Sequence, residues 1–221
     1  MQLTIDPSIL HTVPNFKIGY IQYDDITISE SPQMIKGRTQ LYQENLFLEM
    51  QDTPVTQRAG IAEWRQLWKT FGADPNRYRH SAESLLRRIA KENYIAPIHS
   101  GADINNFFSM NYEIPIGLYD AAMINGDITV MLGTTDDTYE GLNGRSVSLQ
   151  HIIHTKDATG SFGSAYIDSL RTAVTEATKQ AVQVFYLRPS LSRQENEKLL
   201  EAAAKMFTQV NGGTAHITLL P

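Results

Sequence analysis

The sequence predicts an α+β fold: a mixed or antiparallel sheet flanked by helices. Helix-patterned stretches fill residues 33 to 111, and strand-patterned stretches dominate from residue 127 onward. A last helix, opened by a capping box, stands between the final two strands. With 221 residues and no internal repeat or linker-like tract, the chain is expected to form a single domain spanning 1–221. A chain of this size buries roughly 70% of its unfolded surface, so its core is large enough to hold without staples.

The elements follow in order. Pro7 with Ser8 to Leu10 reads as a short helical turn. Phe16 to Tyr23, and then Ile26 to Ile28, read as β-rich strand entering a sheet. Residues 33 to 50 pattern as a helix, with Leu41, Leu46 and Leu48 among polar positions. Over residues 55 to 71, Ile61, Trp64, Leu67, Trp68 and Phe71 recur at three- and four-residue spacing and make one apolar helix face. Gly72 stops that helix, and Asp74-Pro75-Asn76 is turn chemistry. Ser81 is the expected N-cap of a third helix, with Glu83 near its positive end and Leu85, Leu86 and Ile89 on its buried face.

Residues 103 to 111 read as a short fourth helix, and Pro115 to Asp120 as a turn into strand. Ile128 to Leu132, Val147 to His154 and Val182 to Leu187 are strand-like, with a polar connection over residues 134 to 144. Ser192 and Glu195 form a capping box, because the serine accepts from the N3 amide while the glutamate reaches back. Leu199, Leu200, Ala203, Met206, Phe207 and Val210 form the stripe of that helix. Asn211-Gly212-Gly213 ends it, and Ala215 to Leu220 closes as a strand.

Composition narrows the function. There is no cysteine, which excludes disulfides and thiolate metal sites. The N-terminus lacks the basic and then apolar pattern of a signal peptide, and no apolar stretch approaches the ~20 residues of a membrane span. A cytoplasmic protein without membrane attachment is expected. The net charge of −5 argues against broad, non-specific nucleic-acid binding, though not against a local basic patch. Neither GxGxxG nor GxxxxGK[ST] occurs, nor GxSxG or HExxH, so the sequence offers no nucleotide-loop, elbow-serine or zinc-protease chemistry. His151 and His154 sit three apart on an expected strand. There they point to opposite faces, so they do not form a metal pair; no metal or cofactor is expected.

Two features exceed what packing requires. One is the polar cluster at the start of the third helix: Arg77, Arg79, His80, Ser81, Glu83, Arg87 and Arg88. Arg79, Arg87 and Arg88 are its candidates for RNA or phosphate contact, with Ser81 and Glu83 as pocket-supporting groups. The other is the pair Asn105 and Asn106 among large apolar residues. One of these amides is expected to brace the turn from Pro115 to Asp120, and the other to face a ligand. A buried amide without partners costs on the order of 1–3 kcal/mol, so each needs a bonding role. His80 and His99 flank the cluster as hydrogen-bonding loop residues. Asp120 is a turn cap or an amine ligand, and the small residues from Gly160 to Tyr166 are a flexible loop able to line a pocket.

These residues carry a resemblance. The run W-x3-W-K-x-F-G-x-D-P-x-R-Y-R-x-S-x-E-x-L-x-R-R from Trp64 to Arg88, then A-D-I-N-N-F-F-S, P-I-G-L-Y-D and V-T-E-A-T-K, resembles the tRNA-editing domain of the bacterial phenylalanyl-tRNA synthetase beta chain in free-standing form. The likeness runs from about Ile5 to Arg188. It implies a hydrolase that removes a wrongly attached amino acid from tRNA, with the aminoacyl-tRNA acceptor end, or a small amino-acid-like ligand, as partner. It also implies a substrate pocket at Asn105, Asn106, Gly117, Asp120, Ser164 and Ala165, with Asp168 in the same small-residue loop. Gly117 stands where the family commonly has a histidine, and Val184 where a glutamate selects the tyrosine hydroxyl. A valine accepts nothing from a phenol, so the resemblance implies an altered amino-acid preference. Ester hydrolysis needs only a positioned water and oriented donors. The alternative reading is a non-catalytic module on the same fold that binds a free amino acid or nucleoside.

Overall fold

The computed structural model describes residues 1–221. Strand β1 (Leu3–Ile5) leads into helix α1 (Pro7–Thr12), whose first turn is capped by the Asp6 carboxylate accepting from Ser8 N. Strand β2 (Ile18–Asp24) follows. Helices α2 (Gln33–Asp52), α3 (Ala59–Thr70), α4 (Ser81–Ile89) and α5 (Ser100–Tyr112) come next. Then come β3 (Ile116–Asp120), β4 (Ile128–Leu132), β5 (Thr138–Glu140), β6 (Ser146–Ser148), β7 (Ile153–Lys156), β8 (Ser161–Ser164) and β9 (Ala181–Tyr186). Helix α6 (Arg193–Asn211) and β10 (Thr214–Leu220) end the chain.

The strands form two four-stranded sheets and a hairpin. One sheet has the order β1-β4-β7-β8, with β1 parallel to β4 and the rest antiparallel. The other, β10-β2-β9-β3, is antiparallel throughout, and β5 and β6 pair with each other. Helices α5 and α6 lie on one face of the second sheet, where Phe207 stacks on Tyr23 at 4.1 Å between ring centroids. Its other face meets the first sheet, where Tyr119 packs edge-on to Phe162 at 5.0 Å. A smaller apolar cluster, including Leu46, Ile61, Leu86, Ile89 and Met110, glues α2 to α5 together. The α+β expectation is met, with mixed and antiparallel sheets flanked by helices.

Several local expectations need correction. The helix over 55 to 71 is a 3-10 turn (Val55–Gln57) and then α3, with Arg58 extended between them. Ser81 is not the cap of α4: His80 holds the extended N-cap position, no side chain caps the turn, and Ser81 Oγ is buried without a partner. The fourth helix begins at Ser100 rather than 103, because the His99 ring accepts from Ala102 N at 3.2 Å. Histidine lies outside the usual capping set, so composition hid this start.

Ile26 to Ile28 pair with no strand. The expected strand from Val147 to His154 breaks at His151, whose backbone is left-handed (φ 64), so His151 lies in a turn and only His154 is on a strand, β7. The polar connection of 134 to 144 contains β5. The Gly160 to Tyr166 segment is largely the buried strand β8 rather than a flexible loop.

Candidate functional site

Alternation along β9 decides which residues can share a pocket. Gly117 and Tyr20 pair with Val184, while Leu118 and Ile21 pair with Gln183. Neighbouring strand residues point to opposite faces, so Gly117, Tyr119, Val184 and Tyr186 face the first sheet and Gln183 faces the helices. On the helix side, Tyr23 donates to Gln183 Oε1 (2.8 Å), and Gln183 Nε2 donates to Asn105 Oδ1 (2.9 Å). Asn105 Nδ2 in turn donates to the Ile116 carbonyl (3.1 Å). Asn105 thus braces α5 against the start of β3, on the side of the sheet opposite Gly117.

Asn106 belongs to neither face. It lines a small cavity of about 30 Å³ with Lys36, Thr39, Gln40, Gln43 and Asp103, between α2 and α5. A cavity of this kind needs roughly 10–15 Å³ per water, so it admits a water or two and not an amino acid. Asp120 is fully engaged: one carboxylate oxygen accepts from Ala122 N (3.0 Å) and the other from Thr178 Oγ1 (2.6 Å). It ties the end of β3 to the turn formed by Thr175 to Thr178.

The space between the two sheets holds the remaining site residues. Tyr119 crosses it, and a Cβ built on Gly117 or Gly163 would lie 1.8 or 2.2 Å from the Tyr119 hydroxyl. Both positions must be glycine for this ring to pass. The Tyr119 hydroxyl donates to Asp168 Oδ1 at 2.8 Å. Asp168 also accepts from Ser164 N at 3.4 Å and has no cation beside it, so burial pushes its carboxyl up to about 7. Burial also raises the phenols of Tyr119, Tyr139 and Tyr186 above the ordinary tyrosine range, and the Asp168 carboxylate adds to this.

Ser164 lies buried at the hub of the loop beside Asp168. Its Oγ donates to the Ile167 carbonyl (2.9 Å) and accepts from Tyr139 Oη (2.8 Å) and Ile167 N (3.1 Å). Ala165 offers its carbonyl to Ser81 N at 3.0 Å, which docks the start of α4 onto the end of β8. Tyr139 shares its one hydroxyl proton between Ser164 Oγ and the Ile167 carbonyl, and its ring lines a groove of about 440 Å³ with Thr138, Glu140, Ser169, Leu170 and Arg171. That volume lies within the ~300–1,000 Å³ typical of small-ligand sites. Tyr139 therefore touches both the ligand-sized groove and the loop from Ser164 to Ile167 that precedes Asp168.

Behind this layer lies bonding capacity that the chain does not use. His80 is fully buried with neither ring nitrogen paired, beside Trp64 at 5.9 Å between ring centroids. Burial, assisted by Arg65, lowers His80 to about 3, so it is a neutral imidazole near pH 7. Tyr186 packs on the same indole at 6.3 Å. Its hydroxyl lies by those of Tyr119 and Thr155 without a well-formed bond. The Trp64, Trp68 and Thr155 polar atoms are likewise unpaired. Buried polar groups are seldom left so, and each of these atoms is free to bond a water or a ligand.

The basic cluster separates into different roles. Glu83 is buried and takes Arg65 (2.9 Å) and Arg87 (2.8 Å), so it pins α4 to α3. Arg87 is only partly exposed. Arg77, Arg79 and Arg88 are exposed, and Arg77 lies over the Tyr78 ring.

A family model described as the B3/4 domain matches residues 63–210. The chain belongs to the B3/4 domain family. Across 214 residues it is 28% identical to YhzB of Bacillus subtilis, an uncharacterized protein, covering 97% of each chain. Over 56 residues it is 38% identical to the phenylalanine–tRNA ligase beta subunit of Paramagnetospirillum magneticum, spanning 25% of this chain and 7% of that subunit. It also aligns, at a TM-score of 0.47 and 13% identity, with an N-terminal fragment of the phenylalanyl-tRNA synthetase beta subunit from Pyrococcus horikoshii. That alignment covers 100% of this chain and 54% of the fragment. The B3/4 chain thus equals YhzB in extent and spans only a small part of the synthetase subunit. Within the matched span, no sequence signal singled out Asp168 or Tyr119 as a pair, since 49 residues separate them.

Proposed function

We propose that this B3/4 chain is a free-standing aminoacyl-tRNA deacylase that frees a wrongly attached amino acid from tRNA in the cytoplasm. One observation carries the reading: the Asp168 carboxyl is hydrogen-bonded to a phenol and follows the loop that Tyr139, a wall of a ligand-sized groove, bonds. A carboxyl poised near 7 suits a general base at neutral pH. The aminoacyl ester enters along the groove as Tyr139 swings aside. Asp168 takes a proton from a water whose oxygen attacks the ester carbonyl carbon. The carbon–oxygen bond to the ribose then breaks, and the proton passes to the ribose oxygen. Tyr186, whose hydroxyl is unpartnered, supplies a donor for the developing oxyanion. Arg79 and Arg88, exposed on the α4 side, with Arg87 beside them, are the groups that would meet RNA phosphates. Kinship to a synthetase subunit makes RNA the natural partner.

A panel of mischarged tRNAs tests this. Wild type is expected to release one amino acid faster than the uncatalysed rate, and Asp168→Asn to abolish the release. If no tRNA in the panel is deacylated at high protein concentration, the hydrolase reading fails.

A second reading, a receptor for a free amino acid or nucleoside, is favoured by Tyr119, whose ring already fills the space beside Gly117. On that reading calorimetry finds a small ligand whose binding barely responds to salt. Binding of tRNA, in contrast, weakens steeply with salt.

A further inference from the structure

An asparagine followed by glycine is especially prone to lose its side-chain amide, because glycine has no side chain to keep its own N–H away from the carboxamide. The chain holds three such pairs: Asn125–Gly126, Asn143–Gly144 and Asn211–Gly212. All three glycines are left-handed, with φ of 81, 71 and 70, so backbone conformation does not tell them apart. Hydrogen bonding does. Gly212 N donates to the Thr208 carbonyl at 2.8 Å, and the buried Asn211 side chain accepts from Ser100 Oγ and donates to the Phe207 carbonyl. Gly144 N donates to the Gly141 carbonyl at 2.8 Å, and Asn143 Oδ1 accepts from Arg145 N at 3.1 Å. Gly126 N donates to no group of the protein, and Asn125 and Gly126 are both exposed. The Asn125 carboxamide has one contact, from Nδ2 to Thr159 Oγ1 at 3.4 Å, beyond the usual hydrogen-bond range.

The turn is anchored on both sides of this free amide. Asn125 N donates to Asp157 Oδ2 at 2.8 Å, the Asn125 carbonyl accepts from Ala158 N at 3.0 Å, and Asp127 Oδ1 accepts from Gln2 N at 2.8 Å. Only the two groups that react with each other are left unheld. We infer that Asn125 is a site of spontaneous deamidation, and that the fold directs the reaction to this one of its three Asn-Gly pairs. Water or hydroxide takes the proton of Gly126 N, the nitrogen attacks Asn125 Cγ, and Nδ2 departs as ammonia to leave a five-membered imide. Water then opens the ring. Cleavage between the nitrogen and Cγ gives aspartate, and cleavage between the nitrogen and the main-chain carbon gives isoaspartate. In isoaspartate the carbonyl that Ala158 N bonds becomes part of a free carboxylate, and one extra carbon enters the main chain. Both products place a new negative charge beside Thr159, which lines the groove at Tyr139.

Incubation of the folded chain for weeks in mildly alkaline buffer, followed by tandem mass spectrometry, tests this. Asn125 is expected to convert first. Asn143 should lag by up to about tenfold, because one hydrogen bond must open before Gly144 N can attack. Asn211 should stay intact, since its conversion waits on local unfolding at the end of α6. An isoaspartyl methyltransferase with labelled S-adenosylmethionine should mark the aged chain chiefly at residue 125.

Two controls separate the fold from the sequence. In urea the hydrogen bonds that distinguish the three pairs are gone, so their rates should converge. Asn125→Gln, an exposed substitution, should remove most of the methyl label from the aged folded chain. An Asn125 that stays intact while Asn143 converts, equal rates at the two in the folded chain, or the same spread of rates in urea as in buffer would each overturn the inference.

Discussion

Tyr119 lies across Gly117: a β-carbon on the glycine would sit 1.8 Å from the tyrosine hydroxyl, two positions along the same strand face. A ring atom cannot give way here, because Gly163 closes the other side in the same manner and Asp168 holds the hydroxyl. Gly117→Ala is therefore expected to destabilise the fold by at least about 3 kcal/mol, the upper range for overpacking a core. Tyr119→Ala costs about 3–5 kcal/mol by itself through the cavity it leaves. In that background the extra methyl of Gly117→Ala should cost almost nothing. A double-mutant cycle by urea unfolding checks this, and additive costs would show that the two residues do not share the space.

Asp168 and His80 give opposite pH dependences that overlap. The Asp168 carboxyl titrates near 3.8 in the unfolded chain and near 7 in the fold, so between these values the unfolded chain has lost a proton that the folded chain keeps. Its contribution therefore falls as pH rises, by on the order of 4 kcal/mol over the window. His80 titrates near 6.5 unfolded and near 3 folded. Between those values the unfolded chain binds the extra proton, so this contribution falls as pH drops, by a similar amount. In wild type the two slopes largely cancel. Asp168→Asn should leave stability rising with pH between about pH 4 and about pH 6.5, and His80→Gln should leave it falling. Urea midpoints measured across that range decide it. An unchanged slope in Asp168→Asn would mean that the buried carboxyl is ionised at all these values.

Periodicity carried most of the architecture, because long amphipathic segments announce their buried face. The indoles of α3 and the Ser192–Glu195 box of α6 are local patterns, and both stand in the structure where the spacing puts them. What spacing could not convey were features set by distant residues. Gly160 to Tyr166 look like a flexible loop because small residues dominate, yet Gly163 is a glycine so that the Tyr119 ring can lie on it. His80 and His99 hold helix N-cap positions that serines usually take. The candidate pocket was divided for the same reason. Asn105, Gly117 and Asp120 are close in sequence, but strand alternation and an Asx turn send them to a helix-side brace, the inter-sheet space and a loop tie. Asp168 gains its properties only from desolvation in the fold and from its place beside Tyr119, which no local pattern encodes.

Asn105 and Asn106 are adjacent in sequence and should differ sharply in consequence. Asn105 completes a buried chain of bonds from Tyr23 through Gln183 to the Ile116 carbonyl. Asn105→Ala strands the Gln183 amide and that carbonyl, and should cost about 1–3 kcal/mol. Asn106 is half-buried at a water-sized cavity by α2, so Asn106→Ala should stay within about 0.5 kcal/mol of wild type. Neither residue faces the inter-sheet space. Any deacylation found with wild type should therefore survive Asn106→Ala in full. It should also survive Asn105→Ala at temperatures where that variant remains folded, yet vanish in Asp168→Asn. Thermal unfolding and single-turnover deacylation on the same preparations separate these outcomes. Activity lost in a fully folded Asn106→Ala would overturn the placement of the site at the groove beside Tyr139.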